Sequence, residues 1–321
     1  MLASMTAEAP AATAGSVRRL TADDAGAMAD LATLCEIAET GEPDPEIIDW
    51  INAGAKDEEF CAFGIEDDEG LLAFAYVDRT PDQIATEVEL RVRPGAELDV
   101  GLPLLQAARE AARDFQPTKP VHMFANESAH RHRDWLQAQG AVEIRRFWRM
   151  AIDFDETPPA APESPQGVTL RKADDDESDL RMIFGITDTS FAEHFGHSDE
   201  RTYENWIQNW RSRAGFDLTL WWVAELEGEP VSVLLAQTLT VEGGGTHGHI
   251  GTVGTLKQAR GKGIGTLLLK TAFAEFYQRG LRRVTLGVDS ENGSGAVRLY
   301  ESVGMHQAAV WPLYELPPLG A

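Results

Sequence analysis

The chain has 321 residues, 43% hydrophobic and 25% charged, with 52 acidic against 28 basic side chains and a formal net charge of −24. That length suits two domains of ordinary size, and the composition is that of a globular protein in water. No run approaches the ~18 apolar residues of a membrane span, and so acidic a surface repels phosphate backbones, so neither a membrane nor a nucleic acid is expected as a partner.

Residues 1–15 are rich in Ala and Thr and lack the basic start and apolar stretch of a signal peptide. They are expected to be a disordered tail on a cytoplasmic protein. Residues 17–20 read as a short strand, followed by the acidic helix start Thr21-Ala22-Asp23-Asp24, where carboxylates suit the helix dipole. Residues 60–65 and 71–77 flank the turn Glu66-Asp67-Asp68-Glu69-Gly70 and read as a hairpin. Cys35 and Cys61 are the only cysteines, which points to reduced, buried thiols and not to a disulfide framework. Four prolines fall within residues 157–167, marking an extended linker over 156–167.

After the linker the pattern returns. Leu170-Arg171-Lys172-Ala173-Asp174-Asp175-Asp176 echoes residues 17–24, residues 220–226 and 230–240 form a second hairpin, and Leu299-Tyr300-Glu301-Ser302-Val303-Gly304-Met305 echoes Trp135-Leu136-Gln137-Ala138-Gln139-Gly140-Ala141. The chain therefore reads as an internal duplication of one α/β unit of about 140 residues, with domains over 16–155 and 168–321.

The most informative stretch lies in the second copy. A strand over 249–255 leads into Arg260-Gly261-Lys262-Gly263-Ile264-Gly265-Thr266, and a helix with apolar residues at helical spacing follows over 267–277. Three glycines within five residues let a ligand approach the backbone, and the free N–H groups of the first helical turn suit a phosphate. Lys257, Arg260 and Lys262 add positive charge. The stretch is neither a Walker A loop nor the dinucleotide fingerprint, because its glycines are spaced G-x-G-x-G without the required earlier glycine.

What it does satisfy is Arg-x-x-Gly-x-Gly, through Arg260, Gly263 and Gly265. Downstream, a strand over 283–288 precedes Asn292, Ala296, Leu299, Tyr300, Gly304 and Met305. Together these resemble the two signatures of the GNAT superfamily of acyl-CoA-dependent acetyltransferases, with one extra residue before Asn292 and Met305 in place of the usual Phe. The resemblance implies a mixed α/β sheet, mostly antiparallel, with helices on both faces, in two tandem copies. It implies acetyl-CoA as co-substrate and no metal. By that carry-over Arg260, Gly261, Lys262, Gly263, Ile264, Gly265 and Thr266 hold the pyrophosphate. Asn292 binds the pantetheine arm, and the main chain at Val253, Gly254 and Thr255 receives the thioester oxygen. Tyr300 matches the tyrosine that returns a proton to the departing thiolate.

Acetylating an amine also requires a base. His247 and His249 lie two residues apart on one strand and so share a face, and imidazole is suited to take a proton near neutrality. His249 stands fourteen residues before Gly263, a spacing that resembles the first strand histidine of serotonin N-acetyltransferases and the strand glutamate of mycothiol synthases, themselves tandem GNAT enzymes. His249 is therefore the expected base, with His247 in support. The acceptor is expected against the polar break over 190–198, with Glu193 and His194, and against Trp222. At least two of Trp206, Trp210, Trp221 and Trp222 are expected in the core.

The first copy departs where this chemistry would sit. Its loop over 92–101 lacks Gly-x-Gly and carries Glu97 and Asp99, which repel a pyrophosphate, and Leu136 stands where the second copy has Tyr300. It is expected to be a degenerate copy. The function that follows is direct acetyl transfer from acetyl-CoA to a primary amine of a small molecule, since no cysteine of the second copy is placed as an acyl carrier. Two alternatives are a mycothiol synthase, acetylating a cysteinyl sugar-inositol amine, and a non-catalytic acyl-CoA-binding module. A monomer or homodimer is expected.

Overall fold

The computed structural model describes residues 15–316 except 58, 161, 242–244, 292 and 294. Of the expected tail, only Gly15 lies among the described residues, and its N–H donates to Glu66 O at 3.0 Å.

The first copy runs β1 (Arg18–Leu20), α1 (Ala25–Thr40), α2 (Pro45–Gly54), β2 (Cys61–Asp67), β3 (Gly70–Val77), β4 (Thr86–Val92), α3 (Leu102–Phe115), β5 (Val121–Phe124), α4 (His130–Ala138) and β6 (Val142–Asp153). The second repeats that order as β7 (Val168–Lys172), α5 (Glu177–Phe191), α6 (Tyr203–Ser212), β8 (Phe216–Leu226), β9 (Glu229–Val241), β10 (Gly245–Thr255), α7 (Ile264–Gln278), β11 (Arg283–Asp289), α8 (Ala296–Ser302) and β12 (His306–Leu316). Local chemistry sets several helix starts. Asp176 and Thr202 cap α5 and α6 by accepting from Asp179 and Asn205 N–H, and Asp44 accepts from Glu46 N–H ahead of Pro45 at the start of α2.

All twelve strands form one sheet in the order β1-β2-β3-β4-β5-β12-β6-β11-β10-β9-β8-β7. Only β4·β5 and β10·β11 are parallel. The two copies exchange their last strands: β12 lies between β5 and β6, and β6 lies between β12 and β11. The β6·β12 pair runs antiparallel from His306↔Ala151 to Glu315↔Val142, so main-chain hydrogen bonds join the two copies.

Alternation along the strands divides the core. Trp221 and Val223 face α5 and α6, while Trp222 and Ala224 face the α7 side. In the first copy Phe74 and Tyr76 face α1 and α2, and Ala73, Ala75 and Val77 face α3. Helices α1, α2, α5 and α6 thus cover one face, and α3, α4, α7 and α8 the other. Both cysteines are free and buried. No described helix is long and apolar enough to cross a membrane.

Candidate active site

Two cavities meet on this frame. The smaller, about 330 Å³, lies where β10 and β11 part. The two strands pair only at Gly248↔Val284 and His249↔Thr285. Beyond that point β10 continues against β9 alone, so the β11-facing edge of Val253, Gly254 and Thr255 has no strand partner. These three residues line the cavity together with Arg260, Gly261, Gly263, Ile264, Gly265, Thr266 and Tyr300. Gly261 and Gly263 take φ of 75° and 78°, the left-handed region that favours glycine. A Cβ on Gly265 would stand 2.9 Å from Leu299 Cδ2. No side chain caps α7, so the N–H groups of its first turn are left to a ligand. This cradle fits the pyrophosphate and pantetheine arm of a coenzyme A thioester.

Arg260 is more than a loop cation. Its Nε donates to Thr255 O at 3.0 Å and one terminal nitrogen to Ser190 O at 3.1 Å, tying the end of β10 to the end of α5. Lys262 is exposed beside the cavity and is not part of its lining. Asn292 lies outside the described residues. The hydroxyl of Tyr300, buried on α8, makes no hydrogen bond among the described residues, and burial pushes the phenol up to about 12.

The larger cavity, about 590 Å³, lies between the two copies and shares Phe191 and His194 with the smaller one. His249 lines it from β10. Its Nδ1 stands 3.1 Å from Thr285 Oγ1 on β11 and 3.1 Å from Glu46 Oε1 on α2. The hydrogen-bond direction favours Thr285, so the pull of Glu46 is electrostatic. Glu46 is fixed in turn by Arg149 on β6, which holds Glu46 at 2.9 Å and Asp44 at 2.7 Å. Burial opposes the charge of Glu46, but Arg149 and then His249 outweigh it and hold the carboxyl well below its ordinary range. Just past His249, β10 bulges at Gly251, where a Cβ would come within 2.6 Å of the Trp210 ring.

The other expected residues divide. His194 sits at the junction of the cavities, and burial, then Arg260, lower its pKa. His247 lines neither cavity; burial, then His249, push it down to about 4, so it is neutral near pH 7. Glu193 is 79% exposed, pairs with Lys257 at 3.6 Å and lines neither cavity. Trp222 does not line the larger cavity: strand alternation turns it into the α7-side core, with Lys172 Nζ 3.6 Å from its ring centre. Trp206 and Trp210 are the tryptophans that reach the cavity wall. Sequence reasoning missed Glu46, Arg149 and Thr285. The Asp44-Pro45-Glu46 run reads only as a helix start, and nothing local shows that it meets β10.

The Acetyltransferase (GNAT) family model matches residues 180–305. The chain is 32% identical to the mycothiol acetyltransferase of Cellulomonas flavigena over 270 residues, covering 78% of this chain and 72% of that one. Among solved structures it is similar to a GCN5-related N-acetyltransferase from Sphaerobacter thermophilus, with a TM-score of 0.74 and 29% identity over 94% of this chain and 95% of that chain. It also shares the fold of a tandem GNAT protein from the clavulanic acid biosynthesis pathway, with a TM-score of 0.72 and 16% identity over 95% of this chain and 99% of that chain.

Proposed function

The chain belongs to the GNAT acetyltransferases, in their tandem form, and from that membership we propose that it transfers the acetyl group of acetyl-CoA directly to a primary amine of a small molecule. One observation carries this reading: a cavity built on the glycine loop and Tyr300 shares Phe191 and His194 with a second cavity lined by His249.

The geometry supports the following roles. An Nδ1–H facing Thr285 and the Glu46 carboxylate leaves the Nε2 lone pair of His249 to take a proton from the incoming ammonium. The freed amine then attacks the thioester carbonyl carbon. The unpaired edge of Val253, Gly254 and Thr255 offers main-chain donors to the oxygen as negative charge builds there. As the C–S bond breaks, Tyr300 gives its proton to the sulfur, and the nitrogen loses its second proton to water as the amide forms; the high pKa of Tyr300 keeps its proton available across the physiological range. The first copy contributes one wall of the acceptor cavity and the carboxylate beside the base, and in this reading it holds no donor of its own.

The likeness to mycothiol acetyltransferases favours a second, narrower reading, in which the acceptor is a cysteinyl sugar-inositol amine. Those enzymes are expected to carry a strand glutamate where this chain has His249. Here Glu46 brings a carboxylate to the same place from α2.

The test is CoA-thiol release from acetyl-CoA across aminoglycosides, polyamines, amino acids, arylalkylamines and cysteinyl glycosides, with His249→Ala and Tyr300→Phe beside the wild type. An acceptor used by the wild type and lost in both variants supports the reading. An acceptor that both variants use at the wild-type rate overturns the residue roles.

A further inference from the structure

The acceptor cavity is long. It runs across one face of the sheet from His249 on β10 to Glu87 on β4, past Phe147 on β6, Leu313 on β12 and Phe124 on β5. Five strand steps of about 4.8 Å along a sheet that curves around α2 put its ends at most roughly 24 Å apart. Those ends are equivalent positions of the duplication. Glu87 sits opposite His122 in the parallel β4·β5 pair, as His249 sits opposite Thr285 in β10·β11. The first copy thus presents a carboxyl at the position where the second presents its base.

No hydrogen bond to the Glu87 carboxyl exists among the described residues, and the charges acting on it, Asp78 and Glu89, are both acidic. Both arginines of the lining, and His122 opposite Glu87, stand beside other carboxylates. Arg201 faces Asp188 at 3.8 Å, Arg213 faces Asp49 at 3.8 Å, and His122 Nε2 lies 3.2 Å from Glu315. Asp82, near Glu87 in the lining, accepts from Thr202 N–H and Asn205 Nδ2 at 3.3 and 3.4 Å. The middle of the cavity is apolar and the far end is an unpaired carboxyl.

We propose that Glu87 binds a second cationic group of an extended acceptor whose other end, a primary amine, is acetylated at His249. The inference rests on the functional reading above and adds the acceptor's length and charge. Burial, then Asp78, raise the Glu87 carboxyl to about 8, so it is largely protonated near pH 7 in the empty cavity. A bound cation favours the carboxylate, and the proton leaves to solvent.

Soluble α,ω-diamines on oligoethylene glycol chains of rising length test this, against amines of equal length ending in a hydroxyl. With the wild type, kcat/KM for diamine over hydroxyl-ended amine is expected to rise at least tenfold at a matching chain length of no more than roughly 24 Å. Glu87→Gln is expected to flatten that ratio, which does not depend on the folded fraction of the variant. Calorimetry of the long diamine without acetyl-CoA, in buffers of different ionisation enthalpy, should show proton release near pH 7 in the wild type and none in Glu87→Gln. A ratio near one at every length, or equal ratios in both proteins, overturns the inference while leaving the acetyltransferase reading intact. Glu87-dependent diamine binding without acetylation of any amine upholds the second cation site and overturns the functional reading.

Discussion

The two copies repeat ten elements in one order but differ where a donor would bind. In the second copy, the space between the end of α5, the end of β10, the glycine loop and α8 is a cavity of about 330 Å³. In the first, the corresponding space between α1, β4, the loop over 92–101 and α4 is about 20 Å³. What fills it is charge. Arg91 on β4, 2% exposed at its side chain, is bonded to Glu36 on α1 and Glu89 on β4, and Glu39 lies 3.4 Å away. Trp135 takes the place of Leu299 and donates to Asp99 at 3.0 Å, pulling that carboxylate into the loop where the second copy leaves bare backbone. Gly101 begins α3 with φ of −74°, whereas Gly263 begins α7 with φ of 78°. One supersecondary unit can therefore leave this space open or pack it shut, and a few side chains decide which.

The largest effect should come from the base. His249→Ala is expected to lower kcat/KM by about 100- to 10,000-fold, whereas the neutral, off-cavity His247→Ala changes it little. Steady-state CoA release on one acceptor separates the two. Tyr300→Phe is expected to cost kcat about 100-fold while leaving acetyl-CoA affinity close to wild type, as measured by calorimetry. Glu46→Gln, a change in the first copy, should lower kcat/KM about tenfold, equivalent to roughly 1.4 kcal/mol. Wild-type rates in Glu46→Gln would remove the first copy from the reaction.

Smaller effects sharpen the contrast between the loops. Gly263→Ala forces a Cβ into left-handed backbone and should cost about 1–2 kcal/mol of stability, with weaker acetyl-CoA binding. Gly101→Ala meets ordinary backbone and should cost less. Thermal unfolding compares them directly. The buried cluster of the first copy adds a pH signature. Burial lifts Glu36 to about 8 and Glu89 to about 7 against the pull of Arg91, so the folded chain keeps a proton that the unfolded chain releases near the ordinary carboxylate range. Stability from this source is full below about pH 5 and falls as pH rises towards 8. Glu36→Gln should flatten that fall in a series of Tm measurements.

The family and the tandem mixed α/β fold were legible in the sequence because the motifs that carry them are local. Arg260-x-x-Gly263-x-Gly265, the Leu299-Tyr300 run and the echoes between the two halves depend on spacing within a few turns or strands. The absence of Gly-x-Gly and the presence of Asp99 flagged the unlike loop of the first copy. What could not be read depends on long-range pairing. The exchange of β6 and β12 brings α2 over β10, and only then does Glu46 meet His249 and Arg149 meet Glu46. Trp222 was misassigned because strand register, which no local pattern fixes here, turns it to the α7 side, while its neighbour Trp221 is buried under α5 and α6 and the cavity wall takes its tryptophans from α6. Glu193 failed for a related reason: its place beyond α5 puts it at the surface with Lys257.

If one copy holds the donor and the other does not, calorimetric titration of acetyl-CoA into the whole protein should find one site per chain, weakened in Gly263→Ala and unaffected by Asp99→Asn. Two sites per chain, or a single site that survives Gly263→Ala unchanged and responds to Asp99→Asn, would contradict it.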